Sequence, residues 1–201
     1  LTTASLSLRL AMIAPRLKAA TIGWQHNCYD GYLHVKPVVF WQQENLLQQY
    51  LPNLDRYIVL SDYDKRDYME KLGIDCEVKI NPRSFVSEKK CDVKSKRFLM
   101  ATRFVYAKGL DLMMESFEEF CKEDSEWELD IIGDGDLFDQ IRADAKKRHL
   151  EKRVHFVGYT NEPEKYYLNS SVFLLPSRWE GWPMVIMEAF EFGLPVIAYH
   201  M

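Results

Sequence analysis

The sequence predicts an α/β protein built from two parallel-sheet domains, and three observations carry that reading. Short apolar segments rich in β-branched and aromatic residues alternate with longer segments of helical period, the pattern of strand–helix–strand units. A polar, charged stretch, SEKKCDVKSK at 87–96, divides the chain shortly after the turn signal Asn81-Pro82. At 201 residues, 47% of them hydrophobic, the chain is long enough for one large domain or parts of two, and apolar enough for a buried core.

In the first part, 1–86, the segments ATIGW (20–24), RYIVL (56–60) and CEVKI (76–80) are expected strands, and the stretches near 38–50 and 62–72 expected helices. Ser61 and Asp62 suit the cap of the second helix. The stretch 87–96 is read as a linker. The second part, 97–201, contains RFLMAT (97–102), ELDII (128–132), VHFV (154–157), SVFLL (171–175) and PVIAY (195–199), five expected strands separated by helix-like stretches. Over 109–121 a helical stripe of Leu110, Met113, Phe117 and Phe120, with Glu115, Glu118 and Glu119 elsewhere around it, should pack on the sheet.

Composition removes several classes of function. Lys and Arg total 26 against 30 Asp and Glu, a net charge of -4, so the basic surface that nucleic acid demands is missing. Cys28, Cys76, Cys91 and Cys121 are far apart and form no CxxC pair, which argues against a zinc site and fits a reduced, cytoplasmic setting. The stretch from Leu6 to Ala20 is interrupted by Arg9, Pro15, Arg16 and Lys18, and no apolar run approaches the roughly 20 residues a membrane span needs. The basic run KKRHLEKR (146–153) reads as solvated surface at a helix end, open to peripheral contact with a membrane. The chain begins at Leu1, which leaves room for a signal or an earlier domain before it.

The sharpest chemical feature is PSRWEGWPMVIMEAFEFGLPVIA (176–198). A strand ends at Pro176, a short loop follows, and a helix is expected from about Trp182 with Pro183 in its first turn. A helix N-terminus at the carboxyl end of a parallel strand is a seat for phosphate. Two carboxylates accompany it, Glu180 in the loop and Glu188 within the helix. Glu188 lies among Met184, Val185, Ile186, Met187, Ala189 and Phe190, where a carboxylate calls for a hydrogen-bonding partner such as a vicinal diol. The plainer alternative is a Ser177–Glu180 capping box and a solvated Glu188.

A second constellation is ATRFVYAKGLDLM (101–113), in which Arg103 ends a strand and Lys108 precedes a helix. Both cations would stand at the sheet edge where open α/β folds bind ligands, able to neutralise a diphosphate, unless they are ordinary surface charge. GDGDLF (133–138) contributes Gly133 and Gly135, whose missing side chains permit a tight turn and close ligand approach. It lacks the third glycine of the dinucleotide fingerprint, which ranks a nicotinamide or flavin enzyme low. Asp134 and Asp136 form a D-x-D, yet Arg103 and Lys108 would make a metal at the diphosphate redundant, so no metal and no cofactor are expected. His26, in IGWQHN, follows an expected strand of the first part and is either structural or placed at the ligand edge.

Together these segments resemble the group 1, or family 4, retaining glycosyltransferases of the GT-B fold, from about Ile22 to the end of the chain. The motif EGWPMVIMEAFEFGLPVIA after SVFLL carries the likeness, supported by RFVYAKG, IIGDGD, VHFVGY and INP at the domain junction. The resemblance implies two Rossmann-like domains facing each other across a cleft, with 1–86 the C-terminal part of the acceptor-side domain and 97–201 the donor-binding domain, both truncated. It implies that Arg103 and Lys108 bind the donor diphosphate, Glu180 the donor sugar and Glu188 the ribose. Gly181, Trp182, Pro183 and Met184 would line the sugar and phosphates, Tyr159 the base, and His26 would approach the donor sugar from the acceptor side. The implied activity is metal-independent transfer of a hexose-type sugar, with retention, from a nucleotide sugar with uridine diphosphate preferred. The implied acceptor is a glycan or lipid-linked glycan, at the inner face of a membrane. Rival readings are an epimerase or phosphorylase of similar architecture and a non-catalytic partner subunit.

Overall fold

The computed structural model describes residues 2–3, 5–35, 43–84 and 86–200. They group into two compact units, Leu1–Pro82 with Glu180–Trp182, and Arg83–Trp179 with Pro183–Met201. Each holds one parallel sheet.

In the first unit the strands β1 (Thr2–Thr3), β2 (Ile22–Trp24), β3 (Arg56–Val59) and β4 (Glu77–Val78) pair in chain order. Helices α1 (Ser5–Ile13), α2 (Tyr29–Leu33), α3 (Glu44–Tyr50) and α4 (Asp62–Leu72) connect them. The expected helix near 38–50 is seen from Glu44 onward with Gln43 as its N-cap, residues 38–42 lying outside the described ones. Helix α4 begins as its sequence suggests: the Ser61 hydroxyl accepts the Asp64 N–H at 3.0 Å, satisfying one of the donors a helix start leaves open. Asp64 in turn accepts the Tyr29 N–H at 2.8 Å and fixes the start of α2; burial holds its carboxyl above the usual range. The core is rich in tyrosine, with Tyr29, Tyr57 and Tyr68 meeting edge to face.

The second unit carries the five expected strands, β5 (Arg97–Ala101), β6 (Glu128–Ile132), β7 (Val154–Gly158), β8 (Val172–Leu175) and β9 (Val196–Ala198). They lie in the order β7-β6-β5-β8-β9, all parallel. Helices α5 (Leu110–Glu123), α6 (Phe138–Lys147), α7 (Glu164–Leu168) and α8 (Met184–Glu191) flank the sheet. Side chains alternate along each strand, so Phe98, Met100, Leu129, Ile131 and Leu174 face one core while Leu99, Ala101, Ile132, Phe173 and Leu175 face another. The stripe foreseen on α5 fills the first core: Leu110, Met113 and Phe117 are buried, each contributing about 1.5–3 kcal/mol of apolar transfer, and Phe120 packs beside them. The stretch 87–96 is hydrogen-bonded into this unit, Cys91 N–H to the Phe192 carbonyl at 2.8 Å and Asp92 N–H to that of Leu168 at 3.0 Å.

The run 146–153 is less free than solvated charge would be. Arg148 bonds Glu118 at 2.5 Å and Asp144 at 2.9 Å, and Arg153 bonds the Trp127 and Asp124 carbonyls. All four cysteines are free thiols; burial raises Cys28 to about 11 and Cys76 to about 12. Among the described residues no helix is long and apolar enough to cross a membrane.

Candidate functional site

The strand order of the second unit decides where a ligand would sit. From the central β5 the chain winds outward through β6 and β7, then returns to the other side of β5 with β8 and β9. The connections after β5 and β8 therefore leave in opposite directions, opening a crevice at the carboxyl ends of these two strands. Arg103 and Lys108 lie on the connection after β5, and Glu180, Gly181, Trp182 and Pro183 on the connection after β8.

Backbone-to-backbone packing holds these connections. At Gly109, φ is +63° and an added Cβ would lie 2.0 Å from the Pro176 carbonyl oxygen, so only glycine lets the turn bearing Lys108 sit against the end of β8. At Gly133, φ is +124° and a Cβ would lie 1.8 Å from the Thr102 carbonyl oxygen. The GDG turn is further tied by Phe104 N–H to the Asp134 carbonyl at 2.9 Å, Leu137 N–H to that of Phe104 at 3.0 Å and Gly133 N–H to that of Gly158 at 2.9 Å. A Cβ at Gly133 would meet the backbone of Thr102 and one at Gly135 that of Phe104, so both glycines admit the neighbouring turn of the chain. These glycines set the course of the strand that delivers Arg103.

Arg103 is exposed at the mouth of the crevice, and Lys108, half-buried, ends a single 3-10 turn, Tyr106–Lys108. Tyr159, 77% exposed, follows β7. Helix α8 begins at Met184 with Pro183 as its extended N-cap, slightly later than the expected start near Trp182. No side chain caps it, so Ser177 and Glu180, well before the helix, do not form the capping box their spacing allows. In this first turn the Ile186 N–H donates to the Pro183 carbonyl at 3.0 Å, and the positive end of the helix dipole lies at the carboxyl edge of the sheet.

Glu188 is not a solvated helix residue. It is half-buried, and its Oε2 accepts the Tyr167 hydroxyl at 2.8 Å. The Tyr167 ring is 1% exposed, stacked between Phe173 and Phe192 with centroids 5.9 and 5.1 Å away. Burial and the carboxylate's charge push the phenol's pKa up, so it remains a donor. Sequence reasoning found the acid but not this partner, which lies on α7.

It also missed Arg178. Its N–H donates to the Ala107 carbonyl at 2.8 Å, its guanidinium to the Tyr106 carbonyl at 2.9 Å, and both terminal nitrogens to Asp111 at 2.8 and 2.6 Å. The guanidinium lies 4.0 Å from the Tyr106 ring centroid. Hydrogen bonding from Arg178 holds the Asp111 carboxyl below its ordinary value. A signal was present: opposite charges stand within the two quoted motifs, in PSRWEG and AKGLDLM.

Residues 180–182 belong to the first compact unit. Glu180 and Trp182 are half-buried there. The Trp182 indole N–H is buried with no hydrogen-bond partner among the described residues. In the same unit His26 is exposed just past β2, its ring stacked on Trp24 at 5.3 Å and its N–H bound to the Gln25 side chain at 2.9 Å.

Comparisons with known proteins agree with this geometry. Residues 84–201 match the family model "Glycosyl transferases group 1". A glycosyltransferase from Haemophilus influenzae is 30% identical over 148 residues, 73% of this chain and 42% of its own length. A lipopolysaccharide 1,6-galactosyltransferase from Salmonella typhimurium is 31% identical over 105 residues, 50% of this chain and 29% of its own. The chain thus spans less than half the length of these relatives. Among solved structures, S. aureus TarM in complex with UDP superposes with a TM-score of 0.79 at 22% identity, over 90% of this chain and 37% of that one. Sucrose-phosphate synthase from Thermosynechococcus elongatus does so with a TM-score of 0.79 at 18% identity, over 98% and 54%. With a parallel-sheet fold of the GT-B class and a family model that spans the crevice and both its motifs, the chain belongs to the group 1 glycosyl transferases.

Proposed function

We propose that the whole protein transfers a hexose-type sugar from a nucleotide sugar, with uridine diphosphate as leaving group, to a glycan or lipid-linked glycan. The observation that carries this reading is the crevice between β5 and β8, flanked by the connection that bears Arg103 and Lys108 and by the connection that leads into α8. Two cations and a helix N-terminus favour the charge that grows on a departing diphosphate. Glu188, one oxygen held by Tyr167, keeps its other oxygen for a ribose diol. Tyr159, exposed after β7, serves the base, and Glu180 and His26 orient the transferred sugar. With the diphosphate neutralised by side chains and backbone, transfer proceeds without a metal ion. The acceptor hydroxyl attacks from the face the diphosphate leaves, retaining the anomeric configuration. Support for the donor and acceptor classes comes from the galactosyltransferase relative and from the UDP held by TarM. A glycan carried on lipid would bring the protein to the cytoplasmic face of a membrane as a peripheral protein.

The full-length protein titrated calorimetrically with UDP, UDP-glucose, GDP and NAD, with and without EDTA, tests this. UDP should bind in EDTA, and Glu188→Ala should weaken it by roughly 1.5–3 kcal/mol, the loss of hydrogen bonds to a charged group. Binding abolished by the chelator would rule out the metal-free site, and NAD binding without UDP binding would replace the reading with an oxidoreductase.

A further inference from the structure

The geometry points to Arg178 as a positioning residue that acts through Lys108, and so deepens the donor-site reading above, on which it rests. Its four polar contacts all go to one short stretch: the Ala107 carbonyl at 2.8 Å, the Tyr106 carbonyl at 2.9 Å, and Asp111 twice, at 2.8 and 2.6 Å. That stretch brackets Lys108, which is the last residue of the 3-10 turn and is followed by Gly109 and α5. Arg178 itself stands on the connection after β8, two positions before Glu180. A turn of three residues with no side-chain cap has little rigidity of its own. The planar guanidinium fork supplies it, with a bidentate grip on a carboxylate beyond the turn and a bond to a carbonyl within it. The Arg178 side chain is only 18% exposed while that of Asp111 is 53% exposed, so the guanidinium is held in place by its packing and the carboxylate meets it from the solvent side. Lysine could reach Asp111 but could not bind two acceptors in one plane while lying over the Tyr106 ring.

Acting through Lys108 differs from merely stabilising the loop, because it requires the two residues to be non-additive in ligand binding. UDP affinity of the full-length protein is measured for wild type, Arg178→Ala, Lys108→Ala and the double variant, alongside thermal midpoints. We expect about a 30-fold loss for Lys108→Ala, about a 10-fold loss for Arg178→Ala, and less than about 2-fold further loss when Arg178→Ala is added to Lys108→Ala. Arg178→Lys should fall between wild type and Arg178→Ala. Full additivity, or unchanged affinity in Arg178→Ala while Lys108→Ala is weakened, overturns the assignment and leaves the donor site standing. Failure of wild type to bind UDP, or Lys108→Ala binding as well as wild type, overturns the donor-site reading itself. Should Arg178→Ala not fold, Asp111→Asn removes the charge of the clasp from the other side, and the same test of additivity with Lys108→Ala decides the question.

Discussion

The two ends of the second sheet solve the same problem in different ways. At the amino end, charges answer one another: Arg97 at the start of β5 bonds Asp130 at 2.8 and 2.9 Å and Glu128 at 2.5 Å, and His155 on β7 reaches Glu128 at 2.7 Å. At the carboxyl end, the connections are fastened by backbone on glycine and by the Arg178–Asp111 pair, and Arg103 and Tyr159 face solvent. The first end neutralises its own charge. The second spends little side-chain chemistry on structure and keeps cationic and aromatic groups at a crevice, which is the arrangement a ligand requires and a scaffold does not.

The contrast can be broken from either end. The largest effect is expected at the glycine interlock: Gly133→Ala forces a Cβ to within 1.8 Å of the Thr102 carbonyl oxygen, and should cost about 3–4 kcal/mol in denaturant unfolding, the upper range for a point change. A loss below about 1 kcal/mol would mean that the turn relaxes and does not set the strand's course. Arg97→Ala at the opposite end leaves the Asp130 carboxylate, 5% exposed, without its cation, and should cost about 2–3 kcal/mol of stability while UDP affinity is unchanged. A matching loss of UDP affinity would show that the two ends are not separate in function. Tyr167→Phe is the smallest change, removing one hydroxyl from Glu188, for about 1 kcal/mol in stability and a several-fold weaker grip on UDP. Tighter UDP binding in that variant would place the ribose elsewhere.

What could be read from the chain alone follows the range of the forces involved. All five strands of the second unit and three of the first were legible, because each is a run of β-branched or aromatic residues bounded by turn signals. Helix α1 was not: Arg9 within the stretch 5–13, and Pro15 beyond it, gave grounds only for rejecting a membrane span. Helix α2 escaped because it is five residues long with Gly31 at its centre. The positions of Arg103, Lys108, Glu180 and Glu188 on their connections and helix could be foreseen because strand ends and helix starts are local features. The contacts that fix them were hidden, since Arg178 meets Asp111, and Tyr167 meets Glu188, only after the strands have paired. The glycines of GDG were seen as special for a tight turn, but that the turn they admit is the one at Thr102 and Phe104 depends on strand pairing.

The strand order also imposes an order in time. Strands β5, β6 and β7 follow one another in the chain, and as synthesis proceeds they can pair as soon as each emerges. The other edge of β5 must wait for β8, whose Val172 and Phe173 join Phe98 and Leu99 across a long loop closure. Until then the crevice lacks the wall that follows β8, and the turn carrying Lys108 has neither Pro176 nor Arg178 to rest against. A nucleotide bound as proposed would therefore not help the early stages of folding; it would only hold the final docking step in place, by mass action on the finished unit.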